Sequence, residues 1–376
     1  MKILVTGGAG FIGSHIIDSL INQNHTVVII DDLSMGRQEN INKGAIFYEL
    51  KIESPKIETI FADMEPDIVF HLAAQVQVKK STSDPYLDAN VNILGTINLL
   101  QLSLKYKVKK FIFSSSGGVM YGNTSIPATE ECPEHPLSPY GISKWSAEQY
   151  IKYYGSLGLR FTILRYANVY GLRQDPFGEA GVVAIWANSM LNGEQCTLYG
   201  FGKLVRDYVF VDDVVRANIK AMERGLISKG GDTLLANPYP AIAGKNINKN
   251  NSSCSHLLAR DNQIINIGTG VPTSVDELFN KMSRIIGYSL APVYQDKREG
   301  EVGKNFLNCT KANKLLGWTP KTNLSDGLAQ TIQWFKEQRT EGKIPNPKSQ
   351  IQNPKSQRSS KFKVQRARVQ KMKDER

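Results

Sequence analysis

A chain of 376 residues, 41% hydrophobic and 22% charged, is long enough for a large core and two lobes, and its composition is that of an ordinary soluble globular protein. No run of about 18 apolar residues exists, which argues against a membrane span, and Met1 to Thr6 leads straight into a strand pattern rather than a signal peptide. The net charge of +11 is a property of one end: residues 343 to 376 carry 11 basic and 2 acidic side chains, while residues 1 to 342 carry 35 and 33, so a nucleic-acid surface on the folded part is not expected.

The chain opens on an apolar strand, Lys2 to Thr6, that runs into Gly7-Gly8-Ala9-Gly10-Phe11-Ile12-Gly13 and a helical pattern through about Asn22. A second strand, His25 to Ile30, ends in Asp31-Asp32. Strand, glycine turn, helix, strand and acid together predict a dinucleotide site: the glycines let backbone amides approach a pyrophosphate at the helix N-terminus, and Gly13 permits close helix–strand contact. Asp31, 18 residues beyond Gly13, is placed to bond a ribose 2′-hydroxyl and to repel a 2′-phosphate, so NAD is expected over NADP, with Arg37 nearby as the one contrary sign.

Further strands are predicted at Ile68 to Leu72 and Lys110 to Ser114, with a helix over Asn90 to Lys105. Pro136-Leu137-Ser138-Pro139-Tyr140-Gly141-Ile142-Ser143-Lys144 then reads as an N-cap, a first-turn proline and the start of a helix. Tyr140 and Lys144 fall four apart on one face, their Cβ atoms about 6 Å from each other. An ammonium so placed favours the phenolate and would draw the tyrosine pKa down from about 10, giving a base for a sugar or alcohol hydroxyl. A strand follows at Arg160 to Arg165. Alternating strands and helices predict a doubly wound, Rossmann-type α/β fold with a parallel sheet covered on both faces, and a crevice beyond the strand ends at His71-Leu72-Ala73-Ala74 and Ser114-Ser115-Ser116-Gly117-Gly118.

Residues 1 to 170 are therefore assigned to the cofactor domain, with later segments returning to it, and residues 171 to 335 to a smaller C-terminal substrate lobe. Predicted elements there are helices over Val182 to Leu191 and Val211 to Met222, a strand over Ile264 to Ile267, and a helix over Ser274 to Ile286 with Ser274 as N-cap. The stretch 235 to 262, rich in Asn, Ser, Lys and Gly, reads as a surface loop or disordered insertion. Residues 343 to 376, which repeat Asn-Pro-Lys-Ser-Gln, read as a basic low-complexity tail. Cys132, Cys196, Cys254 and Cys309 are dispersed, without a Cys-x-x-Cys, and fit reduced thiols in a cytoplasmic protein better than a disulfide frame or a zinc site; no metal is expected.

These motifs as a set resemble the extended branch of the short-chain dehydrogenase/reductase superfamily, within it the NAD-dependent nucleotide-sugar epimerases, the UDP-glucose 4-epimerase group nearest among them. The resemblance spans about residues 1 to 335 without the insertion. It rests on Thr6 to Ser14, Asp31 to Gly36, His71 to Ala74, Asn92 to Thr96, Pro139 to Lys144, Leu164 to Gly171 and Arg206-Asp207-Tyr208-Val209. It implies a cofactor site of Gly7, Gly10, Phe11, Ile12, Gly13, Asp31, Asp32, Ala73, Asn92, Tyr140 and Lys144. It further implies Tyr140 as the base on the sugar 4-hydroxyl, Lys144 on the nicotinamide ribose, and Ser116 sharing that hydroxyl's hydrogen bond. The segment from Ser116 to Tyr121 is one residue longer than the commonest family form, which keeps Ser115 as an alternative. Asn168, Arg206 and Arg298 would hold the nucleotide-sugar diphosphate, and Glu301 a ribose hydroxyl.

The activity implied is C4 epimerisation of a UDP-hexose, UDP-glucose/UDP-galactose or the N-acetyl forms, through a 4-keto sugar. Related dehydratases carry an acid just after the active-site Ser or Thr, and Gly117-Gly118-Val119-Met120 has none. Departures from the family pattern are Lys51 for an aspartate facing the adenine, Glu299 for a proline, and Phe201 for an aspartate. Asn305 stands at the position that limits the C2 substituent and would leave room for an N-acetyl group. Rival readings are a uronate 4-epimerase or a reductase and, outside enzymes, a nucleotide-sensing or RNA-binding protein. A homodimer through the helices after Asn90 and Tyr140 is the family's usual state.

Overall fold

The computed structural model describes residues 1–178, 181–224, 262–298 and 301–344. The stretch predicted from 235 to 262 lies outside these residues except for Asn262, as do Cys254, Glu299 and the tail beyond Ile344. Of the stretch assigned to the tail, Lys343 and Ile344 are described and belong to the second lobe: Ile344 is buried there, and Lys343 N–H donates to the Gln338 carbonyl at 2.9 Å.

Seven strands make one sheet: β1 (Lys2–Thr6), β2 (Thr26–Asp31), β3 (Ile46–Glu49), β4 (Ile68–His71), β5 (Lys110–Ser116), β6 (Phe161–Tyr166) and, from late in the chain, Gln263–Ile267. Every pairing is parallel. The late strand lies outermost, beside β6, and the order continues β5-β4-β1-β2-β3. A parallel sheet must be covered on both faces, which is why its strands read as unbroken apolar runs rather than alternating ones. Along β1, Ile3 and Val5 enter one layer with Ile16, Ile17 and Leu20 of α1 (Phe11–Asn22). Leu4 enters the other, with Phe61 of α2 (Ile57–Met64). Each fully buried side chain of this kind contributes about 2 kcal/mol.

The predicted helix over Asn90 to Lys105 is divided. Asn90–Gly95 forms a π-helical turn, and the regular helix covers only Thr96–Lys105. Thr96 Oγ1 takes the Asn92 carbonyl at 2.7 Å, and this side-chain competition for a backbone acceptor accompanies the wider turn. The predicted helix after Ser138 runs from Pro139 to Ser156, with Ser138 Oγ accepting from Gly141 N–H at 3.1 Å and Pro139 in the first turn.

The second lobe has its own core, which includes Tyr170, Trp186, Phe210, Leu278, Phe279 and Phe335. It is built from helices Val182–Asn192, Val275–Ile286 and Leu324–Thr340, a three-stranded sheet (Asn168–Tyr170, Val205–Phe210, Pro272–Ser274) and a strand pair, Thr197–Tyr199 with Val293–Gln295. Ser274 Oγ caps its helix through Glu277 N–H at 3.1 Å. The strand Gln263–Ile267 and the helix Val211–Glu223 return to the first lobe, where Val214, Ala217 and Ile265 share the core layer of α1. Strand order reverses between β1 and β4. In doubly wound sheets that reversal opens a crevice outside the strand ends.

Candidate active site

At the crevice the first turn and the end of β4 are bound together. Leu72 and Ala73 N–H both donate to the Thr6 carbonyl at 3.1 Å, and His71 spans Thr6 Oγ1 (2.8 Å) and Thr96 Oγ1 (2.9 Å). Burial holds the His71 imidazole well below its usual range, so it serves as a neutral tie. Gly7 has φ +71°, and a Cβ there would lie 2.5 Å from Ala73 N; one at Gly13 would lie 2.2 Å from the Gly7 carbonyl oxygen. The turn is thus closed to any larger residue at these positions.

Gly10 caps α1 without a side-chain bond, and the first turn contains no acid, so its amides and dipole are open to an anion. Phe11 and Ile12 pack into the second and first cores respectively, so what they offer a ligand is backbone N–H. Asp31, nearly buried, accepts from Ala9 N–H through Oδ2 and from Leu33 N–H through Oδ1, both at 2.9 Å. Burial raises its pKa, and the two amides oppose that rise. Each oxygen keeps further acceptor capacity for a hydroxyl. Asp32 caps Ser34 N–H at 3.0 Å. An open helix start, a glycine turn with no room for Cβ and a buried acid at the end of β2 fit a dinucleotide.

Asn92 is buried rather than solvent-facing, and its amide is spent on protein partners. Oδ1 accepts from Gln75 N–H at 2.8 Å, and Nδ2 lies 3.0 Å from the Gln75 carbonyl and 3.1 Å from both Asp88 Oδ1 and Ser143 Oγ. It ties the loop after Ala73 to the Tyr140 helix.

Tyr140 occupies the second residue of its helix and Lys144 lies one turn on. The expectation that Lys144 draws the phenol's pKa down is not met in this state. Burial first, and Asp88 second, push Tyr140 up. Lys144 itself is pushed down to about 7 by burial, against the pull of Glu148 and Asp88. Desolvation penalises both charged forms at once, and sequence spacing carries no information on it. The ammonium sits 4.1 Å over the Phe113 ring.

The serine alternatives separate. Ser115 is buried, its hydroxyl donating to Glu148 Oε1 at 2.6 Å. Ser116, half-buried at the end of β5, lies with Asn168 beside Gly118, where a Cβ would meet Asn168 Oδ1 at 3.2 Å and Ser116 Oγ at 3.7 Å. A Cβ at Gly117 would lie 2.7 Å from Leu307, so a carboxylate side chain at that position would have to displace a packed leucine.

Behind these residues is a buried ion pair that sequence reasoning did not identify. Arg165 donates from Nε to Glu148 Oε1 at 3.0 Å and from Nη2 to Oε2 at 2.6 Å, and Nη2 also reaches Glu134 at 2.7 Å. Arg165 and Glu148 are both fully buried. Glu134 precedes the Tyr140 helix and Glu148 follows Lys144 by one turn, so one guanidinium holds both ends of the segment that carries Tyr140 and Lys144. Ser115, on the same carboxylate, fixes the strand end that carries Ser116. The available signal was an arginine inside an apolar strand, with a glutamate four residues after Lys144.

On the second lobe the structure joins three predicted residues. Arg206 Nη2 lies 3.5 Å from Glu301 Oε1, Arg298 N–H donates to Glu301 Oε2 at 3.2 Å, and the Arg298 guanidinium stacks 4.0 Å over Tyr199. Burial lowers the Arg206 pKa. The segment after Glu301 lies along the loop after Met120: Gly303 N–H donates to Asn123 Oδ1 at 2.6 Å and Ala128 N–H to the Phe306 carbonyl at 2.9 Å. Asn305 is buried and turned to the Gly122 carbonyl at 3.0 Å.

A sequence model of the NAD-dependent epimerase/dehydratase family matches residues 3–233. UDP-glucose 4-epimerase of Mycolicibacterium smegmatis is 38% identical over 343 residues, covering 89% of this chain and 99% of that protein. The crystal structure of UDP-glucose 4-epimerase from Thermotoga maritima with UDP-glucose superposes with a TM-score of 0.80 at 47% identity, over 90% of this chain and all of that one. The Thermus thermophilus UDP-glucose 4-epimerase complex with NAD gives 0.75 at 38% identity, over 89% of this chain and 99% of that one.

Proposed function

Because the chain belongs to the NAD-dependent epimerase/dehydratase family, we propose that the crevice between its lobes inverts C4 of a UDP-hexose through a 4-keto sugar. The observation that supports this reading is the packing of the helix that carries Tyr140 and Lys144 against β5, the strand that ends in Ser116, with Lys144 Nζ 4.1 Å over Phe113 of that strand and Gly117 and Gly118 leaving no carboxylate for elimination.

NAD, held by the Gly7–Gly13 turn and Asp31, supplies a reversible two-electron acceptor. Tyr140 removes the 4-hydroxyl proton as C4 is oxidised and returns it when the opposite face is reduced. Ser116 donates to the 4-oxygen and steadies it as it becomes a carbonyl. Lys144, kept in place by the Arg165–Glu148 pair, stabilises the phenolate that forms. Arg206 and Arg298 supply the cations for the diphosphate, and Glu301, beside Arg206, takes a ribose hydroxyl. Asn168, near Ser116 across Gly118, reaches the nucleotide-sugar phosphate. Binding energy concentrated on the nucleotide lets the sugar present either face.

The Asn305 amide is committed to Gly122, which keeps it out of the sugar pocket and supports room for a C2 N-acetyl group. The test is incubation of the purified protein with UDP-glucose, UDP-N-acetylglucosamine and UDP-glucuronate without added NAD, read by chromatography. We expect epimers of the first two; a product formed only from the uronate contradicts the hexose assignment, and loss of the acetylated sugar alone contradicts the Asn305 argument.

The homodimer belongs to the same proposal. Ile142, Trp145, Tyr150 and Tyr153 lie exposed along one side of the Tyr140 helix, and Leu94 is exposed in the π-helical turn packed beside that helix. No helix among the described residues is long and apolar enough to cross a membrane. Cytoplasmic residence is part of this reading.

A further inference from the structure

We propose that Asp175, a residue at the entry to the second lobe, decides the cofactor choice at the adenosine ribose by keeping Arg37 from a 2′-phosphate. Arg37 adjoins the ribose acid. The preceding Gly36 is packed so closely that a Cβ would lie 2.6 Å from Asp31 Oδ1 and 2.8 Å from Ala9 Cβ. Arg37 N–H donates to the Ala9 carbonyl at 3.0 Å, and Ala9 N–H donates to Asp31 Oδ2 at 2.9 Å. An arginine rooted there is the kind of group that accommodates a 2′-phosphate, for which its planar fork is suited.

In this chain the fork is taken. Arg37 Nη2 lies 2.7 Å from Asp175 Oδ1, and Nη1 lies 3.6 Å from Glu39. The Asp175 carboxylate is held in place by Phe177 N–H at 3.2 Å. Its loop is tied to α1 independently of Arg37, through His15 to the Leu172 carbonyl (3.0 Å) and Arg173 to Asp18 (2.8 Å). Asp175 is therefore a fixed acceptor that does not depend on the cation it binds. A 2′-phosphate would meet Asp31, Asp32 and Glu39 beside an arginine already neutralised. The pair is about one-third exposed, so losing it costs little stability and its main effect falls on selectivity.

The proposal rests on Asp31 as the ribose acid. The test equilibrates the full-length protein with equal concentrations of NAD and NADP, removes free nucleotide, and measures the bound ratio by chromatography after release. Wild type should retain NAD with little NADP. Asp175→Asn should raise the NADP:NAD ratio about tenfold, the effect of one freed charge-assisted contact. Asp175→Ser should do the same if the asparagine variant folds poorly. Adding Arg37→Met to Asp175→Asn should return the ratio to the wild-type value. A ratio unchanged in both Asp175 variants overturns the proposal. So does a gain that persists without Arg37, since it would come from lost negative charge alone. A wild type that takes up neither dinucleotide overturns the Asp31 assignment, and the proposal with it.

Discussion

Adjacent serines at the end of β5 differ only in the side of the strand they occupy, and that decides their chemistry. Ser115 is locked onto the Glu148 carboxylate, whereas Ser116 lies on the Asn168 side of the strand end. Ser116→Ala should lower kcat roughly 10- to 100-fold, the value of one hydrogen bond to developing charge, with little change in Tm. Ser115→Ala should do the reverse, lowering Tm by removing one of the two donors to a buried carboxylate oxygen, the other being Arg165 Nε; equal kinetic losses in the two variants would contradict the division. Lys144 gives a second residue-scale prediction. Its pKa is pushed from 10.5 to about 7, so below pH 7 the folded state bears the full cost of a buried cation, and from 7 to 10.5 that cost fades as the folded lysine sheds its proton before the unfolded one does. Denaturant midpoints of wild type should therefore rise relative to Lys144→Met across that interval; a constant difference would show that Lys144 titrates normally. The Tyr140–Lys144 spacing was legible in the sequence. Its electrostatics were not, because the burial that dominates both shifts and the charge of Asp88 come from parts of the chain that only the fold brings near.

The helix Pro139–Ser156 carries the argument at the scale of an element. Its start was readable because an N-cap serine followed by proline satisfies open amides in one local way. Its outward side is apolar where a helix facing only water would be polar, with Trp145 and Tyr153 exposed. Trp145→Glu should convert a dimer to a monomer by light scattering at micromolar concentration; a wild type that is already monomeric would contradict the reading. The turn at Asn90–Gly95 was less legible. A helical pattern does not disclose that the turn is widened or that Thr96 takes the Asn92 carbonyl there. The strand Ile46–Glu49 at the sheet edge also escaped notice, since its four residues are only partly covered.

At the scale of the molecule, the parallel sheet and its crevice could be read from the alternation of apolar strands and helices. What could not be read is how late segments return: Gln263–Ile267 lengthens the first sheet and Val211–Glu223 covers it, although both follow the start of the second lobe. Long-range pairing of that kind leaves no periodic mark in the chain. The same holds for Arg206 and Glu301, which lie far apart in the chain and meet only in three dimensions. The most direct measurement is the rate of C4 interconversion by Tyr140→Phe, with released nucleotide quantified from the same preparation. A fall of about 10²- to 10⁴-fold with NAD still bound is predicted for the loss of the proton-transfer group; interconversion at the wild-type rate would contradict the assignment of this phenol as the base.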